Sequence, residues 1–379
     1  MSGAASNIVV VGGGFAGVAA AWTAARAGCK VTLVHAGAGS SALYSGVVDG
    51  ALPAPDALEL GLLLGLSVGA VPRAIATREG VVRLASGRDR ALLDLEPLAG
   101  RKVALLDLGR DDFDAPLLAR SFNESAWCKR TKSEFVSVAV DALANNSERR
   151  ISSHDLATAY DDPARVAALG EALRKAEPNA AAWLVPAVLG VRNEAASQLA
   201  AQLSRPVGET SSAPGGVAGA RFELRRDEVL QRLGVQSVRA RVTAVRGDQQ
   251  GFRVELLGRD AVPARAVVLA LGGVAAGGIV LAASHGRPLS FGLSVDVDVP
   301  LRLDGDSVDA GSSVWGPSFA RKGMTALERV GIPVDALARA AGQSALFAAG
   351  DVVADRPRGV LEALAAGTQA GIGASELSP

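Results

Sequence analysis

Continuous apolar runs, alternating runs and helical periodicities succeed one another along this chain in the order expected of an α/β protein. Asn7–Val11 (NIVVV) is apolar and β-branched, which predicts a strand buried on both faces. Val18–Ala27 is Ala-rich and predicts a helix, and Lys30–Val34 (KVTLV) predicts a second buried strand. Residues 51–72 read as partly helical, and 75–84 (IATREGVVRL) as a small hairpin. Arg101–Leu108 predicts another buried strand. A helical periodicity runs from His154 to Glu177 and stops at Pro178-Asn179. Trp183–Gly190 (WLVPAVLG) reads as an apolar strand and turn, and 204–219, rich in Ser, Pro and Gly, as a flexible loop. Arg225–Leu233 is amphipathic and helical. Gln236–Val245 and Gly251–Leu257 alternate and pair as a hairpin. Ala266–Leu271, which runs into Gly272-Gly273, predicts a further parallel strand. Ala345–Ala349 runs into Gly350-Asp351, and Gly359–Ala374 reads as the last helix.

The order predicts a discontinuous Rossmann-like domain of the FAD/NAD(P)-binding type, with an inserted mixed α/β domain. Residues 1–85 and 221–379 build the first, and 86–220 form the insertion or cap. With 379 residues, 49% of them apolar, the chain is long enough for two lobes and too apolar for disorder. Lys+Arg and Asp+Glu are both 39, so no basic field points to nucleic acid. Cys29 and Cys128 form no CxxC. This excludes an iron–sulfur cluster held by this chain alone, and three histidines leave little for a metal site. The first apolar run is already a strand, so no signal peptide is expected. The most apolar long stretch, Ala51–Val71, carries prolines, Asp56 and Glu59 and makes a poor membrane span. A cytoplasmic location is the expectation, with membrane attachment only peripheral and through a partner.

The chemistry concentrates at Gly12-Gly13-Gly14-Phe15-Ala16-Gly17, a GxGxxG between the first strand and first helix. Gly12 permits the tight turn, Gly14 lets the backbone approach a phosphate, and Gly17 lets helix and strand pack closely. Phe15 and Ala16 carry N–H groups at the helix N-terminus, where an anion is favoured. Ser45 and Gly46 lie in the small-residue loop after the second strand. An acid normally ends that strand and bonds the ribose, but here the position is His35. Two readings of His35 stand: a ribose hydroxyl partner, or a half-exposed strand end. Two readings of Arg356 and Arg358 also stand: solvated loop arginines, or a grip on a flavin or substrate phosphate. His154 reads as a surface residue, His285 lies in a turn, and Tyr44 suits a flavin wall better than a base. No catalytic residue is assigned.

The sequence resembles the B-type flavoprotein component of the anaerobic glycerol-3-phosphate dehydrogenase complex. The likeness rests on GGGFAGVAAA, Ser41-Ala42-Leu43, Ser45-Gly46, Ala182–Gly190, Ser212–Arg221, Gly272–Val280, Gly292-Leu293 and LFAAGD at Leu346–Asp351. It implies a flavoprotein in which the strand around Val242 lies against adenine. Gly272 would end the strand beside the cofactor, and Gly350-Asp351 would meet the ribityl or phosphate region. The cofactor is then FMN or FAD. The missing acid at His35 admits FMN, and the adenine-side scaffold admits FAD. The resemblance further implies oxidation of glycerol 3-phosphate with electrons passed towards quinone. An A-like dehydrogenase flavoprotein and a C-like iron–sulfur protein of the same complex would be its partners. A self-sufficient flavin oxidoreductase and a non-catalytic partner of a dehydrogenase remain open as alternatives.

Overall fold

A computed structural model describes residues 7–192, 194–248, 251–282, 290–308 and 328–377. His285, singled out above, lies outside them. The chain forms two compact units, one from Met1–Ser41, Gly50–Leu64 and Arg225–Pro379, the other from Ala42–Asp49 and Gly65–Leu224.

The first unit is built on a five-stranded sheet. Its elements are Asn7–Val11 (β1), Phe15–Arg26 (α1), Lys30–His35 (β2), Gln236–Arg239 (β3), Ala266–Leu269 (β4), Leu346–Ala348 (β5) and Val360–Glu376 (α2). The strand order is β3-β2-β1-β4-β5, and every neighbouring pair is parallel. This is a Rossmann-like sheet. The valines of β1 explain its place at the centre, since they are fully or almost fully buried on both sides. On one face Val9, Val11, Val34, Val267 and Leu269 join a core shared with Val245, Val254 and Leu256. The last three belong to a separate antiparallel sheet of Val242–Asp248, Gly251–Leu256 and Arg259–Ala264. α1 and α2 pack tightly on each other. A Cβ on Gly367 would stand 2.2 Å from the Ala16 carbonyl oxygen, and one on Gly371 2.7 Å from that of Ala20. Only glycine allows the two backbones this close.

The sequence reading of Gln236–Val245 as one strand is corrected. β3 ends at Arg239, and the Ala240 N–H turns to donate to the His35 carbonyl at 3.0 Å. The alternation then resumes at Val242 in the antiparallel sheet. A period of two reads the same in either sheet, so the break is invisible in the pattern. The strand Arg259–Ala264 escaped the sequence reading, its pattern being interrupted by Pro263 and two charges.

The second unit contains a parallel four-stranded sheet in the order Glu134–Ala139, Lys102–Asp107, Ala182–Val185, Val207–Glu209. A second sheet pairs Val47–Val48 and Leu66–Ala76 with Val82–Asp89. The hairpin is therefore longer than 75–84. Of the stretch 51–72, only Pro55–Leu63 is helical, and from Leu66 onward it is strand. The periodic region 154–177 is two helices, Ser153–Ala159 and Pro163–Ala176. Asp162 caps the second by accepting from the Ala164 N–H at 2.9 Å, with Pro163 at its first turn.

The largest correction concerns 204–219, read as a flexible loop. Val207–Glu209 is a buried strand, Thr210 to Ser212 are buried, and a helix begins at Val217. The cause is a buried ion pair. Arg221 donates to both Glu209 oxygens at 2.6 and 2.8 Å, and to the carbonyls of Gly190 and Leu189 at 2.8 Å each. Burial alone would lower the proton affinity of the guanidinium. The adjoining carboxylate more than offsets this and holds Arg221 above its ordinary range. Among the described residues, no helix is long and apolar enough to cross a membrane.

Candidate nucleotide-binding site

The site grows from the carboxyl ends of β1, β4 and β5, which are neighbours in the sheet. Gly12 follows β1 with φ of 123°, and its N–H donates to the Val34 carbonyl at 2.8 Å. A Cβ there would fall 2.0 Å from the Ala270 carbonyl oxygen. A Cβ on Gly17 would fall 1.8 Å from the Gly12 carbonyl oxygen. These two glycines hold turn, helix and neighbouring strand at a distance no side chain permits. Gly14 is the N-cap of α1 and brings no side-chain cap; the first turn contains no acid. The positive end of the helix is therefore not neutralised by its own residues. The Phe15 N–H donates to Ser41 Oγ at 3.1 Å, which places a hydroxyl at the mouth of the turn. Ala16 sits behind it, against the site where a Cβ on Gly350 would come within 2.7 Å.

Sequence reasoning missed Arg226. Its side chain is almost fully buried and donates from Nη1 to the Gly13 carbonyl at 3.1 Å and from Nε to Asp227 at 2.8 Å. A cation under the glycine turn reinforces the field for an anion above it. The signal was obscured because Arg226 stands more than 200 residues away, in an ordinary amphipathic helix.

His35 closes β2 and is buried, which settles against the exposed strand end. Its Nε2 lies 3.1 Å from Ser237 Oγ on β3. It lines a cleft of about 410 Å³ together with Gly12, Arg241, Val242, Gly278 and Ser294. Val242 is the buried first residue of its strand. Gly272, at φ of 77°, follows β4 and abuts Ala276.

Beyond β5, Gly350 adopts φ of 74° and begins a short 3-10 turn, Gly350–Val352, with Asp351 as its second residue. Burial pushes the Asp351 carboxyl up, the neighbouring Arg358 opposes this, and Glu362 adds to it. Asp351 lines two cavities. One, of about 380 Å³, includes Gly350, Arg356, Glu362 and Gln369. The other, of about 710 Å³, includes Glu328, Arg329, Arg356 and Arg358. Arg358 is half-buried, donates to the Val330 carbonyl at 2.9 Å and lies against Gly273. It is not a solvated loop arginine, whereas Arg356 is exposed. Burial lowers the proton affinity of Arg358, with Asp351 and Glu328 opposing.

Ser45 and Gly46 belong to the second unit and have local tasks there. Ser45 accepts from the Ser212 N–H at 2.8 Å through its carbonyl. Gly46 has φ of 94° and accepts from the Tyr44 hydroxyl at 3.1 Å. Tyr44 is buried and its hydroxyl is committed to that bond. His154 is exposed on its helix.

Comparison with known proteins gives a family match for part of the chain. No curated protein sequence matches it. Among solved structures, FqzB is 11% identical over 70% of this chain and 36% of its own, with a TM-score of 0.28. The chain thus spans about a third of that protein. Glycine oxidase from Geobacillus kaustophilus is 14% identical over 99% of this chain and 96% of its own, with a TM-score of 0.37. A flavocytochrome c3 fumarate reductase is 12% identical over 98% and 78%, with the same TM-score of 0.37. Residues 5–86 match the family model described as pyridine nucleotide-disulphide oxidoreductase, and this stretch contains the β1–α1–β2 turn around which the site is built.

Proposed function

We propose that this chain is a flavin-dependent oxidoreductase that holds FAD across the ends of β1, β4 and β5. One observation carries the reading. Three glycine-bearing turns, Gly12–Gly17, Gly272-Gly273 and Gly350-Asp351, far apart in sequence, stand at the same end of three adjacent parallel strands. Ligands of open α/β sheets bind at that end. The cleft beside His35 favours FAD over FMN, because only FAD brings an adenosine to fill it.

The residues present fit such a cofactor. The N–H groups at the start of α1, with Arg226 beneath the turn, would hold the diphosphate. Asp351, at the end of β5, would hydrogen-bond a ribityl hydroxyl. A bound flavin supplies the acceptor for a hydride equivalent. Arg356 and Arg358 place cations beside Asp351, suited to an anionic substrate.

The finer reading is a flavoprotein component of an anaerobic-type glycerol-3-phosphate dehydrogenase, oxidising glycerol 3-phosphate to dihydroxyacetone phosphate. It rests on the resemblance of segments such as Ala182–Gly190 and Ser212–Arg221. Electrons would pass to an iron–sulfur partner, since two cysteines in the whole chain cannot ligate a four-cysteine cluster. The test is the visible absorption of the purified chain and the mass of the released cofactor, with FAD expected. A colourless protein that takes up no FAD on reconstitution overturns the flavin reading. A flavin-loaded protein that gives no glycerol-3-phosphate-dependent reduction of an artificial acceptor, alone or with its co-purified partners, overturns the finer one.

A further inference from the structure

We propose that the smaller of the two cavities at Asp351 binds a small zwitterion, its ammonium on Glu362 and its carboxylate on Arg356. This goes beyond the flavin reading and requires no cofactor. The cavity, of about 380 Å³, is lined by the start of α2, by the segment 334–338 and by the turn after β5. Its volume lies at the low end for ligand pockets, which suits a small occupant. Val334, Val353 and six alanines make most of its wall apolar and short. The ionisable side chains in the lining are Asp335, Asp351, Arg356 and Glu362.

Two of these four groups are already engaged. Asp335 accepts from the Leu337 and Arg339 N–H groups at 2.9 Å each and from Arg339 Nε at 2.7 Å. Asp351 is offset by the charge of Arg358. The other two are not engaged. Among the described residues, the side chains of Glu362 and Arg356 make no hydrogen bond or ion pair, with each other or with any neighbour. Glu362 stands in the first turn of α2, where the helix N-terminus favours its charged form. Gly50 leaves the carboxylate its place, since a Cβ there would fall 2.3 Å from Oε1. The other oxygen, Oε2, is buried with no donor to satisfy it, which is costly. An ammonium brings three donors to such an oxygen. Arg356 is exposed, and its planar fork matches a carboxylate. One anion and one cation that face a single apolar-walled cavity without pairing complement a ligand that carries both charges on a short aliphatic body.

The test titrates the full-length chain by calorimetry with both enantiomers of alanine, with propionate, which lacks the ammonium, and with ethylamine, which lacks the carboxylate. At least one enantiomer is expected to bind about tenfold to a hundredfold more tightly than each single-charge analogue, the gain from one charge-assisted contact. Glu362→Gln should remove the advantage over propionate, and Arg356→Gln the advantage over ethylamine. Glu362→Gln conserves shape and Arg356 is exposed, so both variants are expected to fold, and thermal melts check this. The comparison of analogues on the unaltered chain stands even where a variant does not fold. No binding of either enantiomer, binding within twofold of either analogue, or an advantage that survives its substitution would each overturn the proposal. FAD is titrated against the same preparation by quenching of its fluorescence. FAD binding without an alanine preference defeats this proposal alone, and an alanine preference without FAD binding defeats the flavin reading alone.

Discussion

Replacing Gly17 by alanine tests the geometry of the site at its tightest point. The added methyl would lie 1.8 Å from the Gly12 carbonyl oxygen, where contacts below 3.0 Å are essentially never seen. Turn and helix must therefore separate by about 1.2 Å. The obstacle is backbone, so no side-chain rotation relieves it. α1 cannot simply retreat, because Gly367 and Gly371 of α2 already pack against Ala16 and Ala20. Overpacking of this kind costs about 1–3 kcal/mol, offset by up to about 1 kcal/mol of helix propensity. The loss in melting temperature should be only a few degrees. The effect on FAD should be larger, since the N–H groups of α1 move by about two fifths of a hydrogen-bond length. Losing one charge-assisted bond, at about 1.5–3 kcal/mol, weakens binding by roughly tenfold to a hundredfold. Gly292→Ala is the control: nothing lies within 4 Å of its Cβ and its backbone is not left-handed. FAD titration and thermal melts of both variants decide the matter. Gly17→Ala binding FAD within twofold of wild type, with an unchanged melting temperature, would refute the reasoning.

Two further outcomes follow from the buried charges. Arg221→Met leaves Glu209 buried without its cation, a change that costs about 3–5 kcal/mol, and the melting temperature should fall by about 6–20 °C. Adding Glu209→Leu should restore most of the loss; equal melting temperatures for single and double variants would contradict the assignment. For Asp351, the folded protein binds the proton more tightly than the unfolded chain does. Its contribution is therefore favourable at low pH and is lost as pH rises from the ordinary aspartate range through the raised value. Asp351→Asn should flatten this part of the melting-temperature profile, and an unchanged slope would sink the idea.

The sequence by itself determined the local elements of the first unit and the chemistry of its first turn. β1, α1 and β2 were legible because β-branched runs, an Ala-rich helix and a GxGxxG act over a few residues, where the physics is local. Gly350-Asp351 was legible for the same reason, a glycine turn after an apolar run. What lay beyond reach depended on partners distant in the chain. Arg226 becomes a site residue only when a helix 200 residues on is folded beneath Gly13. The stretch 204–219 looked loose because its composition is polar and small, yet the Glu209–Arg221 pair draws it into the core. His35 could be read two ways until Ser237 and Ala240 were placed beside it. Tertiary structure decided which arginine faces the cleft, because a period of two says which face a side chain takes but not which sheet it joins.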